Sequence, residues 1–184
     1  MALKMITAPA EEPVSLDEVK TYLRIDGTDF DMLLAGLIRA AREYCENFQN
    51  RAFVTQTWEL TLDDWPRFPL KLPKPPLQSV SSFIYTDKDG AATMWDESNY
   101  IVDSDSEPGR IVLAYNVSLP SVTLQPVNGI RIRFTAGYGT AAAVPENVKQ
   151  AMMIFVASRF ENPEKNDVPD VVHSLLWPER MVPV

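Results

Sequence analysis

Between Phe30 and Phe48 the apolar residues Phe30, Leu33, Leu34, Leu37, Ile38, Ala41, Tyr44, Cys45 and Phe48 fall at offsets 0, 3, 4, 7, 8, 11, 14, 15 and 18. Only an α-helix places all of these on one stripe, so this segment is predicted to be a helix of about five turns with one buried face. After Asn50 the period changes. Val54, Gln56, Trp58, Leu60 and Leu62 alternate with Thr55, Thr57, Glu59 and Thr61, a period of two in β-prone residues that predicts a strand. A chain that switches period this sharply must build its core from both helices and strands.

The rest of the chain follows those two patterns. Ser15-Leu-Asp-Glu18 has the form of a capping box and starts a short helix from about Leu16 to Arg24. Asp26-Gly27-Thr28 breaks it, and Thr28 with Asp31 restarts the long helix. Five of the fifteen prolines lie between Pro66 and Pro76, which excludes regular helix or a central strand there and predicts an extended run along an edge. Strands are expected at Ser79 to Thr86, Ala91 to Trp95, Tyr100 to Asp103, Arg110 to Ala114 and Gly129 to Thr135. Asp89-Gly90, Pro108-Gly109 and Asn128-Gly129 supply turns between them. Helix returns at Pro145, with Val148, Ala151, Met152, Phe155, Val156 and Arg159 on its inner side, and stops near Asn162-Pro163. At roughly 150 residues per domain, 184 residues make one body, or one body with a small insertion.

The expected fold is therefore α+β: a helical body from both chain ends with an inserted small antiparallel β region. Residues 1–52 supply the N-terminal helices, 53–140 the β insertion and 141–162 the C-terminal helix. Residues 163–184 read as a linker and docking tail, because the polar Pro163 to Asp170 leads into Val171-Val-His-Ser-Leu-Leu-Trp177-Pro. Apolar anchors on a flexible tail bury surface only when a partner arrives, each contributing about 2 kcal/mol. On this reading, truncation after Asn162 leaves a folded protein.

Composition narrows the function. Seventeen basic against 25 acidic residues give −8, with no basic cluster to hold phosphates, so tight DNA binding is not expected. The longest apolar runs, Met32 to Ile38 and Ala151 to Ala157, are too short to cross a bilayer. A lone cysteine excludes an internal disulfide and fits synthesis in a reducing cytoplasm.

Chemistry is poorly served. His173, the sole histidine, has Ser174 beside it and Cys45 far away on the apolar helix face, so no nucleophile, base and orienting group come together by sequence. One Cys and one His do not make a zinc site, and no cofactor is expected. Asp103-Ser-Asp105-Ser-Glu107 begins like a calcium loop, but Pro108 stands where glycine is needed and Ala114 where the last acid belongs. Asp63-Asp64 reads as a turn, Gly137-Tyr-Gly139 as a sheet-to-helix corner, and Asn116-Val-Ser118 as a glycosylation pattern that means nothing without secretion. Trp58, Trp65, Trp95 and Tyr138 suit a core better than a stacking platform. The residues point to a protein that is not an enzyme.

The order of these segments resembles a known family. Pro13-Val-Ser-Leu-Asp-Glu-Val-Lys-Thr-Tyr-Leu-Arg24, Ala40-Ala-Arg-Glu-Tyr-Cys45, Asn50-Arg-Ala, Gln56-Thr-Trp-Glu-Leu60, Leu72-Pro, Pro76-Leu-Gln-Ser-Val80, Pro108-Gly-Arg-Ile111, Phe134-Thr-Ala-Gly-Tyr-Gly139 and Val144-Pro-Glu-Asn-Val-Lys149 together are similar to the head-tail connector (adaptor) proteins of tailed phages, prophages and gene transfer agents. The resemblance implies a structural role at the virion neck. Many copies, usually twelve, form a ring on the portal protein, open to DNA and presenting a platform for a stopper or tail-completion protein. It also implies a C-terminal anchor towards the portal, here Val171, Val172, Leu175, Leu176, Trp177 and Arg180. The competing expectation is a carbohydrate- or host-surface-binding module of a phage tail, which would need its aromatic residues exposed on one face. A hydrolase, the weakest alternative, would need His173 beside a nucleophile.

Overall fold

The computed structural model describes residues 1–164 and 167–182. They form four α-helices and two antiparallel sheets, an α+β fold divided into two compact units. One unit comprises Met1–Ala8 and Thr55–Gly137, the other Pro9–Val54 and Tyr138–Val184.

The first unit is all β. Strands β1 (Ala2–Thr7), β2 (Gln56–Leu62), β4 (Leu77–Thr86), β5 (Ala92–Met94) and β8 (Ile130–Ala136) make a sheet in the order β1-β2-β8-β4-β5. Strands β3 (Leu70–Lys71), β6 (Tyr100–Asp103) and β7 (Arg110–Leu113) make a second in the order β3-β7-β6. The predicted period of two holds in register: Trp58 faces Phe134, Leu60 faces Ile132 and Leu62 faces Ile130, all six buried. The only strand within the proline-rich run is the two-residue edge strand β3, which holds none of the five prolines, so no ladder bond is lost to a missing N–H. Phe83, Trp95 and Tyr100 pack with Trp65, the Phe83 and Trp95 rings meeting edge-on with centroids 4.8 Å apart.

Residues 2–7 differ from expectation. The sequence places residues 1–52 with the helices, yet β1 lies against β2, with Leu3 opposite Leu60 and Met5 opposite Trp58. Its six residues carry a period too short to read alone, and the partner that stabilises it lies more than fifty positions downstream.

The second unit is helical. Helix α1 (Leu16–Leu23) has the capping box complete: Glu18 N–H donates to Ser15 Oγ and Ser15 N–H to the Glu18 carboxylate. Helix α2 (Asp31–Gln49) starts after Phe30 rather than at Thr28, and Asp31 in its first turn pairs with Lys20 at 2.8 Å. Helix α3 (Glu146–Glu161) follows Pro145, and α4 (Asp170–Leu176) follows Pro169. Leu34, Ile38, Ala41 and Cys45 of α2 share one core with Val148, Ala151, Met152, Phe155 and Val156 of α3 and Val172 and Leu176 of α4. Arg159, expected on that inner side, is half-buried with its guanidinium over the Phe155 ring. Two members of the long α2 stripe stand out of the core: Phe30 is 46% and Leu33 52% exposed. A regular apolar period shows which residues share a face, not how much of that face its neighbours cover.

Candidate functional site

Helix α2 ends at Asn50, which takes the left-handed cap conformation at φ 56° and leaves the last carbonyls of the helix open to other donors. The C-terminal segment supplies them. Arg180 Nε donates to Phe48 O at 3.1 Å and Met181 N–H to Gln49 O at 2.9 Å. In return Gln49 Nε2 donates to Leu176 O (2.7 Å), Asn50 Nδ2 to Met181 O (2.8 Å) and Arg51 Nε to Glu179 O (2.6 Å). Tyr138 OH donates to Glu179 Oε2 at 3.0 Å. Arg180 also places a cation where the α2 dipole favours one, its guanidinium 4.9 Å from the Phe48 ring and 5.3 Å from that of Trp177.

The six residues expected to form a docking tail are thereby divided. Val172 and Leu176 are fully buried in the helical core of their own chain, and Leu175 is half-buried with its carbonyl accepting from Asn147 Nδ2 at 3.1 Å. Val171 and Trp177 stay 46% and 63% exposed, and Arg180 is exposed beside Trp177. Residues 170–182 are thus a docked helix and strap, not the linker and free tail that the sequence suggested. The physical reason is the apolar face of Val172, Leu175 and Leu176, at offsets 0, 3 and 4 of α4, which fits the chain's own α3. That stripe was readable. The strapping residues Gln49, Asn50 and Arg51 act on backbone carbonyls, and Tyr138 on the Glu179 carboxylate, all far away in the chain, so no local pattern marked them as straps.

The residues weighed for chemistry have other partners. His173 Nε2 lies 2.7 Å from Tyr44 OH and its ring stacks on Phe48, while Ser174 Oγ donates to the Asp170 carbonyl instead of facing His173. Burial pushes the Cys45 thiol up to about 12, with the Glu46 charge adding to the effect, so it is no thiolate nucleophile near neutral pH. Asp103 accepts from Ser106 Oγ (2.7 Å), Arg110 Nε (2.8 Å) and the Asp105 and Ser106 amides, which hold its carboxyl down to about 2. It closes a hairpin turn. Asp63 fixes another by accepting from Asn128 N–H at 2.9 Å. Gly137 and Gly139, at φ 127° and 125°, turn the chain from sheet to helix. Among the described residues no group of three or more His, Cys, Asp or Glu side chains could hold a metal ion, and no helix is long and apolar enough to cross a membrane. Trp58 and Trp95 are buried, so neither serves a sugar-stacking face.

What remains is a chain whose candidate site is surface: a pinned C-terminal helix presenting Val171, Trp177 and Arg180. None of the curated proteins matches it in sequence. Its fold is shared by chains of gene transfer agent particles. One, from the neck of an empty particle computed with C6 symmetry, superposes with a TM-score of 0.83 at 24% identity. A second, from the virion of the native particle, gives 0.82, and a third, from the native neck computed with C12 symmetry, gives 0.76, both at 24% identity. Each match covers 100% of this chain and 97% of the other. The profile of the head completion protein family matches residues 12–168. The chain therefore belongs to the head completion protein family, as its resemblance to the head-tail connectors of tailed phages implied.

Proposed function

We propose that the protein is a structural adaptor of the virion neck, assembling as a ring, a dodecamer, on the portal protein of a tailed phage or phage-like particle. The observation that carries this reading is the head completion family match across residues 12–168. The ring and its order draw support from the symmetric necks, computed with C6 and C12 symmetry, in which chains of the same fold occur. The protein is made in the host cytoplasm and works by burying surface between larger pieces, not by catalysis.

In this role the pinned α4 faces the portal. Val171, Leu175, Trp177 and Arg180 form the contact, while Val172 and Leu176 hold the helix in place from below. Burying a Trp-sized side chain contributes about 2 kcal/mol, and a ring repeats the contact in every copy, so a modest single contact becomes a durable attachment. The opposite end of the ring receives the stopper or tail-completion protein. DNA passes through without specific binding: a chain at −8 repels phosphate, where a basic lumen would retain it.

Deletion of the gene tests the reading. The expected result is DNA-filled heads without tails, restored by supplying the protein in trans; tailed, infectious particles in its absence would overturn it.

A further inference from the structure

Helix α2 has an outer face that stays exposed among the described residues. Its first ten residues expose Met32, Leu33, Ala35, Gly36, Arg39 and Ala40, which helical geometry places on one arc. Met32 is 92% exposed. A solvent-facing helix arc is ordinarily charged, and this one carries a single charge in six positions. Gly36 sits at its centre in open space: a Cβ there would meet nothing within 4 Å. Glycine inside a helix costs about 1 kcal/mol relative to alanine, and no neighbour among the described residues requires the room it leaves. Arg39 makes no ion pair among the described residues.

We infer that this arc of α2 receives a second copy of the chain, as the contact between neighbours in the ring; the inference rests on the ring reading proposed above. Area and charge select that occupant. Met32, Leu33 and the adjoining Phe30 expose on the order of 400 Å² of apolar surface, about half of the 800 Å² per partner that a stable pairwise complex buries. Two isolated copies gain too little from it to remain paired. A closed ring repeats the contact and holds each copy from two sides, so a patch of this size suffices. Copies at −8 also repel one another at short range, and the exposed Arg39, which makes no ion pair among the described residues, gives a carboxylate of the neighbour its partner. Gly36, with Ala35 and Ala40 beside it, lets that neighbour come close to the α2 backbone.

The test is a photo-activated benzophenone amino acid at position 33 of the full-length chain, expressed in place of the wild type and irradiated in purified particles. The expected product runs at twice the chain's 20.7 kDa and contains this chain alone. On the same particles a lysine-reactive cross-linker reads the ring independently, as a ladder of multiples. A ladder with no homodimeric photoproduct, or with photoproducts only to a different protein, overturns the α2 assignment and leaves the ring standing. Absence of both products overturns the ring reading as well. Arg39→Glu, an exposed change expected to fold and melt as the wild type does, should lower the copies per particle about fivefold or more, and Arg39→Lys should restore them. Normal incorporation of Arg39→Glu would also defeat the assignment.

Discussion

Two neighbouring residues, Leu176 at the end of α4 and Trp177 just beyond it, separate the fold of this protein from its proposed docking surface. Leu176 is fully buried in the helical core, and Trp177, the next residue, is 63% exposed. Leu176→Ala removes buried methyl groups and leaves a cavity among α2, α3 and α4, a loss of about 3 kcal/mol within the usual 2–5. For a chain of this length each kcal/mol lowers the melting temperature by about 2–4 °C, so a drop of about 6–12 °C is expected. Trp177→Ser loses a partly exposed cation–π contact with Arg180 and a ring contact with Phe48 at 6.4 Å, together about 1 kcal/mol and a few degrees. Thermal unfolding followed by far-UV circular dichroism measures both. Counting tails on particles carrying each variant, below the melting temperature of both, measures docking. Trp177→Ser should fold normally and attach poorly; Leu176→Ala should attach once folded. If Leu176→Ala melts with the wild type, α4 is not part of the core, and if Trp177→Ser costs as much as Leu176→Ala, the division between inner and outer residues fails. By the same reasoning truncation after Asn162 strips the core of Val172 and Leu176 and destabilises the helical unit, contrary to what the sequence suggested.

Three further outcomes follow from single residues. Cys45, with its thiol at about 12, should resist a thiol reagent at pH 8 in the native protein and react on unfolding; rapid labelling under native conditions would show that the α2 core opens. Asp103, held at about 2 against an ordinary 3.8, stabilises the fold above pH 4 and loses that contribution as the pH falls towards 2. The stability gap between wild type and Asp103→Asn should therefore close over that window in urea titrations, and a gap independent of pH would refute the assignment. Gly109→Ala drives a new methyl against Cβ of the buried Leu77 and should cost about 1–3 kcal/mol in urea titrations, and an unchanged midpoint would refute that contact.

How much of this was legible depended on how local the determining contact is. The α1 capping box was readable because Ser15 and Glu18 satisfy each other within four residues. The alternation of β2 was readable because burial on one face of a sheet imposes the period wherever the partner comes from. Strand β1 was not, since its pairing with β2 is what makes Leu3 and Met5 strand residues. The apolar run of α4 was noticed but assigned to an outside partner. Apolar burial is non-directional, so the free energy of hiding Val172 and Leu176 is the same whether the cover is α3 or another protein. Val171, Trp177 and Arg180 stay exposed and Leu175 half-exposed, so these four, and not all six, remain open to an outside partner. The candidate site was therefore half legible: its residues were named, but not which of them face outwards.

If the portal is the partner, as proposed, that division changes how attachment works. A free tail that orders on the portal must offset the conformational entropy of its residues before it gains any affinity, whereas a helix already pinned by Gln49, Asn50 and Arg51 has met that cost during folding. The two cases differ in heat capacity. Coupled folding of a tail onto the portal would bury the whole apolar set, on the order of 1,000 Å² or more, with a large negative change, while docking of a preformed surface buries only what Val171, Leu175 and Trp177 leave exposed. Calorimetric titration of the chain into assembled portal at several temperatures should give the smaller value. Trp177→Ser should weaken binding without altering the stability of the free chain. A heat-capacity change of the coupled-folding size would mean that α4 leaves its own core to bind, and the platform described above would have to be read as a latch.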